Sequence, residues 1–221
     1  MKSSQNYFPF SLENAVGHSY CSATREAGST KRQAEFAAGR FCAAQALQKA
    51  GFSGTPIIGT RSNRAPDWPQ GWVGSITHTS LSPGEAFVSA VVARAEAMRS
   101  IGVDSEQIME SKTASDVESL LLNPCEKALF ENESNQHLDF LTFLTLIFSV
   151  KESVFKCLNP LVSKFFEFHD VAVRKIRWQE GEVDLELLTP LSPEFGKGYL
   201  LCGRFALNGR LVHTLVEVAH E

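Results

Sequence analysis

Four residues bear most directly on chemistry: Asp104, Glu106, Glu152 and Lys156. Asp104 and Glu106 stand two apart in Gly-Val-Asp-Ser-Glu (102–106). On a strand, positions two apart face the same way, so both carboxylates point into one space. Carboxylate oxygens suit a hard divalent cation such as Mg²⁺, which takes a few of them and completes its shell with water and phosphate. The same Asp-x-Glu pattern also occurs at solvated strand ends. In Phe-Ser-Val-Lys-Glu-Ser-Val-Phe-Lys (148–156), Glu152 and Lys156 share one side of a helix, opposite the stripe Ile147, Val150, Val154 and Leu158. Phe148 and Phe155 flank that polar side, which predicts that it is covered, and a covered Glu and Lys need partners. A metal for Glu152 and a phosphate for Lys156 would satisfy both. A surface i, i+4 ion pair is the plainer alternative.

A second group of residues suits an anion. Gly-Ser-Ile-Thr-His (74–78) ends a strand, where His78 can donate to a phosphate with the Thr77 hydroxyl beside it; a packed histidine is the competing reading. Arg40 follows Gly39 in an Ala-rich helix and either snorkels past the core or reaches a bound anion. Lys31 and Arg32 sit in that helix's first turn, where the dipole disfavours cations unless an anion is shared with the backbone amides. Arg64, in Asn-Arg-Ala-Pro-Asp-Trp-Pro (63–69), lies on a rigid loop and either closes over a ligand or is simply exposed.

These residues require elements to position them. Thr30 and Gln33 predict a capping box and a helix over 31–50 stopped by Gly51, with Phe36, Ala43, Leu47 and Ala50 facing the core. Residues 52–71 read as loop; 72–78 and 86–93 read as strands around the turn Ser82-Pro83-Gly84, and another strand leads into Asp104. Ser115-x-x-Glu118 and Asn123-Pro124-x-Glu126 are helix-start signatures. A long helix is predicted from about His137 to Leu158, ended by Asn159-Pro160. Strands follow at about 168–178, 182–188, 199–207 and 210–219, the last two joined at Asn208-Gly209. Each half is thus helix then strands, giving an α+β chain of two packed lobes, 1–100 and 101–221.

Composition is that of a globular protein: 43% hydrophobic, 21% charged, formal net charge −4. That balance argues against broad nucleic-acid binding. Five cysteines, none in a C-x-x-C pair, argue against a disulfide framework or zinc site and fit a reducing cytosol. The first residues, Met-Lys-Ser-Ser-Gln-Asn, lead into no apolar run, so no signal peptide is expected. The stretch Phe140–Val150 is too short to span a bilayer and reads as a core helix.

With these segments in place, the chain resembles the 4′-phosphopantetheinyl transferases of the enterobactin synthase component D type, related to the surfactin-type enzymes. Five stretches carry the resemblance in the family's order: 31–40, 63–69, 73–78, 101–106 and 148–156. The resemblance implies two similar pseudo-symmetric lobes, each a helix on a small, mostly antiparallel sheet, with coenzyme A and Mg²⁺ (or Mn²⁺) in the cleft. It implies transfer of the phosphopantetheine arm to a serine of an acyl, aryl or peptidyl carrier protein, with release of 3′,5′-ADP, by a monomer serving siderophore or nonribosomal peptide synthesis. Asp104, Glu106 and Glu152 match the family's metal ligands, and Lys156 matches the lysine near the pyrophosphate. Glu152 is also the candidate base. Arg40 and His78 match contacts to the 3′-phosphate, Arg64 matches a basic residue near coenzyme A, and Arg32 with Lys31 match basic residues at the helix start. Thr77 stands where relatives often have serine. A Mg²⁺-dependent phosphate-ester hydrolase would instead release product without a carrier, and a non-catalytic coenzyme A-binding module would bind without turnover. Lys164, Arg174, Lys175 and Arg177 are candidates for carrier docking.

Overall fold

The computed structural model describes residues 17–24, 30–133 and 139–220. In the first lobe α1 (Lys31–Lys49) starts at the expected capping box. The Gln33 amide donates to Thr30 Oγ1 at 3.2 Å and the Thr30 amide to Gln33 Oε1 at 2.8 Å, satisfying two of the amides a helix start leaves open. Its buried face, including Ala38, Cys42, Ala43, Ala46 and Leu47, packs on β1 (Gly17–Thr24) and β5 (Glu85–Arg94) of an antiparallel sheet ordered β1-β5-β4, where β4 is Trp72–Ser82. Gly84, in the left-handed region, closes the β4–β5 hairpin. Two short strands, β2 (Gly59–Thr60) and β3 (Pro66–Asp67), clip the 52–71 loop together. Phe36 departs from the expected core stripe. It lies at the edge of the buried face, is 53% exposed and stacks under the Arg40 guanidinium, 4.7 Å from its ring centre.

The second lobe is a five-stranded antiparallel sheet, β6-β10-β9-β8-β7, formed by β6 (Met98–Gln107), β7 (Val171–Arg177), β8 (Glu182–Leu187), β9 (Leu200–Asn208) and β10 (Leu211–Ala219). The helix α4 (Phe140–Val162) crosses it, with Ile147, Val150, Val154 and Leu158 wholly buried as the periodicity predicts. The helix presses on β6 so closely that a Cβ at Gly102 would stand 1.9 Å from the Ser153 carbonyl oxygen. Only glycine fits there, which explains the residue two before Asp104. Two shorter helices, α2 (Ser111–Leu121) and α3 (Pro124–Glu133), precede α4.

Two helix boundaries differ from expectation, and a third falls outside the described residues. The helix α2 begins at Ser111 after Glu110, and the Ser115 hydroxyl donates back to the Ser111 carbonyl one turn inside it; such i−4 back-bonding lets a serine sit within a helix as well as cap one. The helix α4 continues past Pro160 to a left-handed Ser163. A proline this near the end removes little of the hydrogen-bond ladder. The expected start of α4 at His137 lies outside the described residues; Asp139 caps it, accepting from the Leu141 and Thr142 amides. The Asn123 capping box does form. No described helix is long and apolar enough to cross a membrane.

The lobes meet where β4 runs alongside β6. Val91, Ala93, Met98, Ile101, Val103 and Leu215 form a small apolar cluster joining them. Beyond it, no backbone ladder links β4 to β6; side-chain hydroxyls do.

Candidate functional site

Ser75, Thr77 and Thr79 alternate along β4 and present three hydroxyls to β6. The Val103, Ser105 and Gln107 amides donate to them at 3.1, 2.9 and 3.3 Å. One edge of β6 is paired with β10, so these amides on its other edge would otherwise lack partners. The pairing steps 75 to 103, 77 to 105 and 79 to 107, so the two strands run parallel. Two of the hydroxyls then donate onward: Thr77 to Asp104 Oδ1 at 3.0 Å, and Thr79 to Glu106 Oε2 at 2.8 Å. Asp104 and Glu106 therefore face the same side, as the strand spacing predicts.

From the other side α4 brings Glu152 and Lys156. The i, i+4 ion pair between them is not what forms. Lys156 reaches across to Asp104 Oδ1 at 2.6 Å, so Oδ1 serves both Thr77 and Lys156. Asp104 is buried, and its other oxygen, Oδ2, has no hydrogen-bond partner. A buried carboxylate oxygen without a donor is costly unless a ligand serves it.

The electrostatics agree. Burial, and then the nearby Asp104 charge, pushes the Glu106 carboxyl up to about 8 against the pull of Thr79 and Lys156. Burial raises Glu152 as well, opposed by Lys156 and reinforced by Asp104. Crowded, desolvated acids hold protons, and a divalent cation would reverse that preference. The expected three-carboxylate cage is nevertheless not preformed. Among the described residues no three acidic, imidazole or thiol groups stand together as a ready metal site. Like charges repel and Lys156 already holds Asp104. The oxygen donors and the orphaned Oδ2 still fit a hard cation, which binds through one or two carboxylates with water and phosphate.

Three members of the cluster each border a different concavity. Glu106 borders one of about 670 Å³ between the start of α1, the β4–β5 turn and α2. Glu152 borders an aromatic cleft of about 410 Å³ with Phe155, Phe165, Phe166 and Phe168. Lys156 borders a third of about 440 Å³, shared by both lobes, with Arg61, Arg64, Gly74 and Ser75.

The anion candidates are less gathered. Arg64 is exposed on that third wall, in the left-handed region at φ 69°. Arg32 is exposed at the start of α1. Arg40 is partly buried, donates to Thr60 Oγ1 at 3.0 Å and has an unpartnered Nε; burial lowers its pKa. His78 is exposed, its Nδ1 3.9 Å from Glu35 Oε2, and Lys31 lies 3.8 Å from the same carboxylate. Neither Arg40 nor His78 borders the third cavity. Thr77, expected beside His78 at an anion, is buried with its hydroxyl committed to Ser105 and Asp104; adjacent strand residues face opposite ways. Of the docking candidates, Arg174 is paired with Glu186, Arg177 with Glu182 and Asp184, and Lys164 bonds the Pro190 carbonyl. Lys175 stays exposed.

Sequence reasoning missed two further features. Lys151 is the residue before Glu152, yet it is buried, donating to Glu126 Oε2 at 2.9 Å and to the Leu121 carbonyl at 2.8 Å. Glu126 also accepts from the Asn123 and Val173 amides. The Glu126–Lys151 pair ties α2, α3, α4 and β7 around Glu152. Its signal was present in the Asn123-Pro124-x-Glu126 box. His213 on β10 is the second: its Nδ1 is 2.9 Å from Ser105 Oγ, and burial, opposed by Asp104, lowers its pKa to about 4.

Comparison with known proteins places this geometry in a family. Residues 22–93 match the 4′-phosphopantetheinyl transferase N-terminal domain, and residues 100–212 match the 4′-phosphopantetheinyl transferase superfamily. Enterobactin synthase component D of Salmonella typhi is 37% identical over 139 residues, covering 63% of this chain and 53% of that protein. The 4′-phosphopantetheinyl transferase Svp of Streptomyces mobaraensis is 35% identical over 195 residues, 86% of this chain and 73% of that one. The 4′-phosphopantetheinyl transferase Npt of Nocardia iowensis is 30% identical over 199 residues, 86% and 83% respectively. The chain spans about half the length of the enterobactin synthase component D relatives it matches.

Proposed function

The chain belongs to the 4′-phosphopantetheinyl transferase superfamily, and on that premise we propose that it transfers the phosphopantetheine arm of coenzyme A to a serine of an acyl, aryl or peptidyl carrier protein, releasing 3′,5′-ADP. The observation that carries the reading is the cluster at the lobe seam: Asp104 and Glu106 on one side, Glu152 and Lys156 on the other, with Asp104 Oδ2 buried and unserved. Asp104, Glu106 and Glu152 would hold Mg²⁺ or Mn²⁺. Bound there, the ion supplies charge neutralisation at the pyrophosphate oxygens.

The chain's own groups do the rest. Lys156 adds positive charge at the same place and borders the cavity that carries Arg64, which suits a chain of phosphates. Burial makes Glu152 a readier proton acceptor than an exposed glutamate, so it, or a water it holds, takes the serine proton. The serine Oγ bonds to the β-phosphorus as the bond to the bridging oxygen breaks, and that oxygen leaves with 3′,5′-ADP. Alignment of serine and phosphorus comes from docking the carrier. Arg40, His78 and Arg32 are assigned to the nucleotide end, with His78 gaining an anion in competition with Glu35. A monomer in a reducing cytosol, serving siderophore or nonribosomal peptide synthesis, completes the reading; the enterobactin synthase relatives favour the siderophore side.

The test is mass spectrometry of a panel of apo carrier proteins incubated with the full chain, coenzyme A and Mg²⁺. Addition of phosphopantetheine to a carrier serine is expected, and none in EDTA. Coenzyme A breakdown without a carrier would replace this reading with a hydrolase. Binding without turnover on any carrier would replace it with a binding module.

A further inference from the structure

Two hydroxyls of β4 do two things at once. Thr77 Oγ1 accepts from the Ser105 amide and donates its only proton to Asp104 Oδ1; Thr79 Oγ1 accepts from the Gln107 amide and donates to Glu106 Oε2. The amide contact fixes where each hydroxyl sits, and the donated proton fixes which oxygen of each carboxylate is taken. For Asp104 the outcome is specific: Oδ1 is held by Thr77 and Lys156, and Oδ2 is left buried without a donor. Ser75 makes the amide contact to Val103 and faces a residue with no carboxylate. The strand-to-strand seam therefore needs a hydroxyl at all three positions, while the onward donation occurs only where an acid stands opposite.

We propose that Thr77 and Thr79, from the first lobe, are positioning residues for the cation-holding carboxylates of the second lobe, so that cation affinity depends on both lobes. This rests on the metal-site reading of Asp104 and Glu106. Groups that hydrogen-bond a ligating carboxylate fix its orientation and set the free oxygen toward the ion, and their loss typically weakens metal affinity by about 10- to 100-fold. Valine keeps the shape of threonine but removes both the onward donor and the acceptor for the β6 amide, so ion affinity is compared only among variants whose thermal unfolding shows them folded. Serine keeps both.

The experiment is Mn²⁺ titration of the full chain, following free Mn²⁺ by electron paramagnetic resonance, with thermal unfolding of each variant recorded alongside. The variants are Asp104→Asn, Thr77→Val, Thr77→Ser, Thr79→Val and Thr79→Ser. Each valine variant is expected to bind Mn²⁺ about tenfold or more weakly, and each serine variant to recover to within about threefold of the unmodified protein. If the folded valine variants bind as well as the unmodified protein while Asp104→Asn does not, the positioning inference is overturned and the metal site stands. If the unmodified protein binds no better than Asp104→Asn, the metal site falls, and the positioning inference with it. Should Thr77→Val fail to fold, Thr79→Val, at the more open end of the seam, decides between the same outcomes.

Discussion

The two sides of the lobe seam are built on different terms. On the side of β6 and α4, the candidate groups are buried or half-buried and hydrogen-bonded into place: Asp104 by Thr77 and Lys156, and the stretch of α4 around Glu152 by the Lys151–Glu126 pair. On the side of α1 and the 61–78 segment, Arg32, Arg64 and His78 are exposed, and only Arg40 is partly covered. The difference fits two tasks. A cation site in the path of phosphoryl transfer needs fixed oxygens and little water. A nucleotide that must arrive and leave can be met by flexible cations at the surface. Substitutions on the first side should therefore cost folding, and those on the second only ligand affinity.

The largest effect is expected at the Glu126–Lys151 pair. Glu126→Gln or Lys151→Met leaves a charge buried without its partner, which costs about 3–5 kcal/mol. Denaturant unfolding checks this, and a loss within experimental scatter would break the contrast. Next comes Gly102→Ala. With a Ser153 carbonyl oxygen 1.9 Å from the new Cβ, β6 and α4 must part, at a cost of about 3 kcal/mol. Unfolding measurements with and without Mn²⁺ should show stability and ion affinity falling together. On the exposed side, Arg40→Ala and His78→Ala should leave stability nearly unchanged. They should weaken coenzyme A by about tenfold, as for one charge-assisted hydrogen bond, and dephospho-coenzyme A less, since only the former carries the 3′-phosphate. Calorimetric titration with both ligands distinguishes the cases, and equal losses contradict the assignment.

The smallest effect is a pH slope. A carboxyl raised from 4.5 to about 8 binds its proton more tightly folded than unfolded. The stability this provides is full below about 4.5 and is lost as pH rises through about 8. His213, lowered from 6.5 to about 4, works oppositely: stability falls as pH drops through that range. Between about 6.5 and 8 only the carboxylate trend remains of these two. In EDTA the Tm should fall across that window, and Mg²⁺ should raise it more at the upper end. A Tm that climbs with pH in EDTA would contradict the burial of the acids.

Much of this was legible in the sequence because it rests on local rules. The Thr30–Gln33 box, the Ser82-Pro83-Gly84 turn, the Asn208-Gly209 hairpin and the α4 stripe each depend on neighbours within a few residues. Asp104 and Glu106 facing one way follows from strand periodicity alone. What failed depends on contacts distant in the chain. Phe36 has helical spacing for the core yet lies at its edge. Thr77 reads as half of a Thr-His pair until β6 arrives opposite it, when its hydroxyl turns to Asp104. Lys151 looks like a surface neighbour of Glu152, and only the return of α3 and β7 buries it against Glu126. The alternation Ser75-x-Thr77-x-Thr79 was a visible signal, but nothing local says that the partner is another strand's amides and acids.

The most direct test of the central claim is mass spectrometry of an apo carrier protein incubated with coenzyme A, Mg²⁺ and either the unmodified protein or Asp104→Asn, with circular dichroism confirming that both are folded. Phosphopantetheine addition by the unmodified protein is expected, with a loss of at least about a hundredfold in rate for the variant, the scale set by removing one preorganised electrostatic group. Equal conversion by the two would contradict the claim.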